Sequence, residues 1–225
     1  MQRQDSRDPL RDTREQVAAA ARQLASAGLV LGTAGNVSAR ASENRVAITP
    51  TGARLEELQS DQVTIVDLDG APVTGELEPT SELDLHLGVY RRYEAAAVVH
   101  THAPMATALS CVIDELPCIH YQMLLLGGTV RVAPYETFGS PELAAVTLDA
   151  LEGRSAALMA NHGAIAYAHN LNAAVEASLL LEWACAVYWR AAAIGAPRVL
   201  DSDAQMAVVE AAVERGYGQT RRIEP

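Results

Sequence analysis

From Asn170 to Gly195 the chain reads NLNAAVEASLLLEWACAVYWRAAAIG, one long helical pattern closed by Gly195. It is apolar on most of its faces, so it belongs in a core or at a subunit interface rather than in water. The segment before it, AALMANHGAIAYA, reads as strand, tight Asn161-His162-Gly163 turn, strand. Strand and helix patterns interleave in this way along the whole chain. No Pro/Ser linker, repeat or composition break divides it. The expectation is one sheet domain over residues 1–225, α/β or α+β in class.

The remaining elements follow from local signals. Residues 1–11 read as a flexible charged tail. A helix is predicted after Asp12, with Glu15 as its capping-box partner and Gly28 as its stop. GTAGNVSAR is a Gly/Asn/Ser loop running into a strand. RVAITPTGARLEEL reads as strand, turn and helical turn, and VTIVDLDGAPVTG as a hairpin turned at Asp69-Gly70. PTSELDLHLGVYRRY is predicted as a helix starting at Thr80 or Ser81. AAAVVHTH is a strand, and APMATALSCV a short helix with Pro104 near its start. Strands are expected around PCIHY and TVRVAPY. SPELAAVTLDALEG is a helix capped by Ser140, with Pro141 in its first turn. Residues 210–225 read as a C-terminal helix and tail.

Charge and cysteine content narrow the function. A net charge of −11 in 225 residues leaves no basic stripe for nucleic acid and no attraction to an anionic membrane. The three cysteines, Cys111, Cys118 and Cys185, form no CxxC pair and read as reduced core thiols of a cytoplasmic protein. The N-terminus has no apolar signal region. The most apolar segment is interrupted by Glu176, Glu182 and Arg190, short of the roughly 18 uninterrupted residues of a membrane span.

Chemistry concentrates at a few positions. In a strand, residues i and i+2 face the same way, so His100 and His102 would present both imidazoles on one side and Thr101 on the other. His162 emerges where an apolar strand breaks at a turn, a place for a reactive group or for a buried histidine bonded to backbone. Three histidines with an open position form a common catalytic zinc set. Glu82 opens a helix, where a carboxylate complements the dipole or serves a site. His86, one turn on, reads as a packing residue, and His120 and His169 as structural or solvated. The loops GTAGNVS and TPTG, together with Thr80-Ser81, offer hydroxyls and backbone N–H groups suited to a phosphate. None is a nucleotide fingerprint.

Taken together, GTAGNVS, ITPTG, PTSE, AVVHTHAP, IHYQMLLLGG, APYETFG, NHGAIA with its long helix, and the tail YGQTRRIE resemble the zinc-dependent class II aldolase/adducin family. The resemblance implies an α/β fold, a three-layer α/β/α sandwich on a largely antiparallel central sheet. It implies one Zn2+ per subunit on His100, His102 and His162. Glu82 would be the acid/base, able to bind the zinc at rest and to swing off it with substrate. Thr33, Asn36, Thr51, Gly52, Thr80 and Ser81 would hold the substrate phosphate. Tyr121 would reach a neighbouring subunit's site in a homotetramer, and Tyr217 would help close the site.

The implied reaction is cleavage of a ketose 1-phosphate to dihydroxyacetone phosphate and an aldehyde. L-fuculose 1-phosphate, giving L-lactaldehyde, is the first candidate substrate, and 5-deoxyribulose or 5-methylthioribulose 1-phosphate are alternatives. Sugar-phosphate 4-epimerases on this scaffold typically carry Asp where Glu82 stands, which counts against that activity. A dehydratase of methylthioribulose phosphate is a further relative. Adducin-type binding heads lack the zinc set that this chain retains.

Overall fold

The computed structural model describes residues 8–218. The first helix, α1 (Pro9–Ser26), begins earlier than Asp12. Asp8 is its N-cap, the Asp8 carboxylate accepts from Leu10 N–H at 3.1 Å, and Pro9 occupies the first turn. Residues 8–11 are therefore cap and helix, while residues 1–7 of the expected tail lie outside the described residues. Gly28, with φ +76°, follows the helix end as expected.

Among the described residues nine strands form one sheet: β1 (Asn36–Ser42), β2 (Arg45–Ile48), β3 (Thr64–Asp67), β4 (Pro72–Thr74), β5 (Ala97–Thr101), β6 (Glu115–Leu116), β7 (Val130–Ala133), β8 (Ala156–Met159) and β9 (Gly163–Ala168). Their spatial order is β4-β3-β2-β1-β5-β9-β8-β7-β6. Every pairing is antiparallel except β7 with β8, so the sheet is largely antiparallel.

Strand alternation sorts the core into two layers. Val37, Ala39, Ala97, Val99, Ala164 and Ala166 pack with α1, α3 (Pro104–Ser110) and α5 (Leu171–Ile194). Val46, Ile48, Val98, Ala157 and Ile165 pack with α2 (Leu83–Arg92) and α4 (Pro141–Ala150) on the opposite face. The result is the expected α/β/α sandwich. By length and composition α5 could cross a membrane, its three charges notwithstanding. It lies instead along the sheet, with Ala174, Val175, Leu181 and Cys185 buried. The last helix, α6 (Ser202–Arg215), has no buried residue in the chain by itself.

One expected strand is absent. Cys118–His120 does not pair in the sheet: Pro117 offers no N–H, and the Cys118 carbonyl accepts from Leu200 N–H at 2.9 Å. His120 then caps a 3-10 segment, Tyr121–Leu126, accepting from Gln122 N–H.

Candidate metal centre and cavity

The histidines converge where β5, β9 and α2 meet. The His100, His102 and His162 ring nitrogens lie within 4.8 Å of one another. His100 is held inside β5, and its Nδ1 donates to the Ala164 carbonyl at 2.9 Å, which turns Nε2 toward Glu82 and His102 as the nitrogen that a metal would take in place of its proton. His102 follows the last residue of β5, and His162 sits in the turn between β8 and β9 beside Asn161, whose φ is +55°. Gly163 lets that turn press against the end of β5.

Glu82 is the N-cap residue of α2, but its side chain makes no capping bond. It turns inward instead, with Oε2 3.1 Å from His100 Nε2 and Oε1 3.4 Å from His162 Nε2. α2 thus begins at Leu83, two or three residues later than the sequence signals indicate. Thr80 and Ser81 form a turn before it, with Leu83 N–H donating to the Thr80 carbonyl at 3.2 Å.

This donor set fits a divalent cation. His100 Nε2 and His102 Nε2 are 3.0 Å apart. Two imidazole nitrogens at tetrahedral zinc bonds of about 2.0–2.1 Å would be about 3.3 Å apart. Glu82 Oε1 is buried without a hydrogen-bond partner. A buried carboxylate oxygen left without a partner is a poor arrangement without a cation beside it. Burial works against the charge of Glu82, yet His100 and Asn36 hold its carboxyl well below the usual carboxylate range. Burial and the neighbouring His100 push His102 and His162 down to about 4, so both are neutral and able to ligate.

Behind Glu82 runs a buried chain of polar groups. Asn36 Nδ2 donates to Glu82 Oε2 at 2.9 Å and to Thr80 Oγ1 at 3.1 Å. Asn36 Oδ1 faces His86 Nε2 at 2.5 Å. His86 Nδ1 meets Ser38 Oγ at 2.7 Å, and Ser38 Oγ meets Tyr90 Oη at 2.8 Å.

A cavity of about 430 Å³ opens beside the histidines. Glu82, His102 and His162 line it, as do all six residues expected at the phosphate: Thr33, Asn36, Thr51, Gly52, Thr80 and Ser81. A bridge between Pro50 and Pro79, with Thr80 N–H donating to Thr49 carbonyl at 3.1 Å, holds the two loops together. Asn36 lines the cavity, but both of its amide hydrogens already point at oxygens of the chain. Sequence reasoning left Tyr135, Glu136, Phe138 and Asn161 unassigned, and they line the same cavity. Their segments, APYETFG and NHGAIA, are recognisable, but no periodicity singles out side chains within a loop.

Tyr121 and Tyr217 line a different, more apolar groove between the 3-10 segment and α6. Their hydroxyls are 3.1 Å apart, and this bond raises the Tyr121 phenol above its ordinary value rather than lowering it. Neither lines the histidine cavity of its own chain.

Residues 15–189 match the Class II Aldolase and Adducin N-terminal domain. The chain belongs to the class II aldolase and adducin family. It is 41% identical over 175 residues to a 5-deoxy-D-ribulose 1-phosphate aldolase of Bacillus thuringiensis serovar kurstaki, covering 77% of this chain and 81% of the relative. It is 38% identical over 176 residues to an L-fuculose phosphate aldolase of Escherichia coli strain K12, with the same coverage. A solved L-fuculose 1-phosphate aldolase superposes with a TM-score of 0.85 at 35% identity, over 89% of this chain and 95% of the other. This member of the family is an aldolase, a carbon–carbon lyase. Class II aldolases depend on a metal, and the His100/His102/His162 cluster is where this one could hold it.

Proposed function

We propose that the protein is a zinc-dependent aldolase that reversibly cleaves a ketose 1-phosphate to dihydroxyacetone phosphate and a short aldehyde. The observation that carries the reading is the convergence of three imidazoles and a buried, partly unbonded carboxylate on one wall of a cavity lined with hydroxyls. His100, His102 and His162 hold one Zn2+, with Glu82 as a further ligand at rest. Zinc bound there supplies Lewis-acid stabilisation of the negative charge that develops on the ketone half. Thr33, Thr51, Gly52, Thr80 and Ser81 seat the phosphate, and Asn36 supports Glu82 beside them. Binding energy from that remote group positions the bond to be broken. Glu82 moves the proton at the hydroxymethyl carbon of the dihydroxyacetone phosphate half, for which its free Oε1 is suited.

The relatives' names favour two substrates about equally, L-fuculose 1-phosphate and 5-deoxyribulose 1-phosphate. Both give dihydroxyacetone phosphate, and both end in a methyl group on the aldehyde side. A second copy of the chain completes the site in this reading. Tyr121 acts on the aldehyde oxygen of a neighbour's substrate, Tyr217 closes over it, and the assembly is a cytoplasmic homotetramer. The exposed Tyr121–Tyr217 groove, which shares no lining residue with its own chain's histidine cavity, supports that arrangement. A screen of ketose 1-phosphates, with dihydroxyacetone phosphate detected by a coupled reductase, tests the reaction. Epimerised or dehydrated products without cleavage would overturn it.

A further inference from the structure

We infer that His86 is a positioning residue for Glu82, acting through Asn36. Two periodicities build the connection. β1 is in register with β5 so that Asn36 stands opposite His100 and Ser38 opposite Val98, on the α2 side of the sheet. Glu82, His86 and Tyr90 follow one another at intervals of four at the start of and along α2, forming a single stripe. The strand pair and the helical stripe interlock into one chain: Tyr90, Ser38, His86, Asn36, Glu82. All five residues are buried.

The direction of every bond in this chain follows from its last link. Asn36 places one end of its amide against two oxygens, Glu82 Oε2 and Thr80 Oγ1. That end is the NH2, because Glu82 Oε2 can only accept. Asn36 Oδ1 therefore faces His86, and His86 must donate from Nε2. His86 Nδ1 then carries a lone pair and accepts the Ser38 hydroxyl proton, and Ser38 Oγ accepts from Tyr90. Burial keeps the Tyr90 phenol protonated and His86 neutral, consistent with those roles. A reversed imidazole would turn the Asn36 carbonyl toward the Glu82 carboxylate. The orientation of Glu82 is thus set, through Asn36, from a histidine that is itself neither a lining residue of the cavity nor a member of the histidine cluster. Oε2 is gripped, and Oε1 is the oxygen left for proton transfer.

The inference rests on Glu82 as the acid/base of the proposed reaction, and the two can fail separately. Nitrogen-15 spectra of the metal-free chain should show His86 protonated at Nε2 alone, and an Nδ1–H form would overturn the assignment whatever the enzyme does. Zinc-loaded protein given dihydroxyacetone phosphate in deuterium oxide reports the proton transfer by itself. His86→Asn, which keeps a partner for Ser38 but none for Asn36, should slow deuterium exchange about tenfold or more with zinc content and KM unchanged. His86→Gln, which can still donate to Asn36, should recover most of the rate. Exchange at the wild-type rate in His86→Asn, or equal losses in both variants, would overturn the inference. If His86→Asn does not fold, Ser38→Ala carries the test: a freed imidazole tautomer should slow exchange, and an unchanged rate counts against the relay. Normal exchange in Glu82→Gln would remove the base itself, and with it both readings.

Discussion

Gly163 lies so close to Thr101 that a Cβ on the glycine would fall 2.3 Å from the threonine carbonyl oxygen. The contact joins the turn carrying His162 to the strand end carrying His102. Gly163→Ala should therefore force the two ligand segments apart. A stability loss of about 1–3 kcal/mol is expected from overpacking of this kind, together with weakened zinc binding. Urea unfolding and a chelator competition measure the two effects. An alanine variant with wild-type zinc affinity would show that the contact does not set the ligand geometry.

Metal removal should act on stability as well as on turnover. The three imidazoles come from two segments far apart in sequence, His100 with His102 and His162, so zinc binds only the folded chain to any useful degree. At free zinc about 100-fold above its dissociation constant, linkage predicts about 2.7 kcal/mol of stabilisation. Chelation should lower the melting temperature and re-addition should restore it. His102→Ala should show neither response, and a metal-dependent shift in that variant would place the ion elsewhere.

The buried His86 predicts a pH dependence of definite sign. An unfolded histidine titrates near 6.5. In the fold, burial first and His100 second push His86 down to about 3. Between these values the unfolded chain binds the additional proton, so stability rises with pH across the window. Its contribution is complete above about pH 6.5 and is lost progressively toward pH 3. Metal-free wild type should lose more stability than His86→Gln between neutral and mildly acid pH. Parallel urea-unfolding profiles for the two proteins would remove the effect.

Among the described residues, those lining the proposed phosphate seat include no lysine or arginine. The lining hydroxyls and backbone N–H groups are the donors it offers. Hydrogen bonds to a charged partner are worth about 1.5–3 kcal/mol. Ser81→Ala and Thr51→Ala should each raise KM about tenfold or more while changing kcat little. A large loss of kcat at unchanged KM would assign these residues to the chemistry instead.

Much of the centre was legible because its geometry is local. Strand alternation predicts that His100 and His102 share a face, and their ring nitrogens are neighbours. The end of an apolar strand marks His162. Glu82 was legible as a residue but not as a shape: its place at a helix start suits dipole complementation as well as a site, and it is Asn36 and the histidines that draw it inward. The role of His86 could not be read, since a histidine one turn along a helix looks like packing until the partner strand's register is known. The irregular Cys118–His120 segment shows the opposite failure. Its residue types favour a strand, and a tertiary bond to Leu200 takes the carbonyl that a ladder would need.

The cavity has two kinds of wall. Its histidines stand at or beside the ends of β5 and β9 in the middle of the sheet, whereas Tyr135, Glu136 and Phe138 ride on the connection between β7 and α4. The first kind cannot drift without unmaking the sheet; the second sits in a connection outside the strand ladder. A site divided in this way keeps its metal-facing side chains on the stiffest part of the molecule and meets what enters, on the other side, with side chains that a connection can reorient.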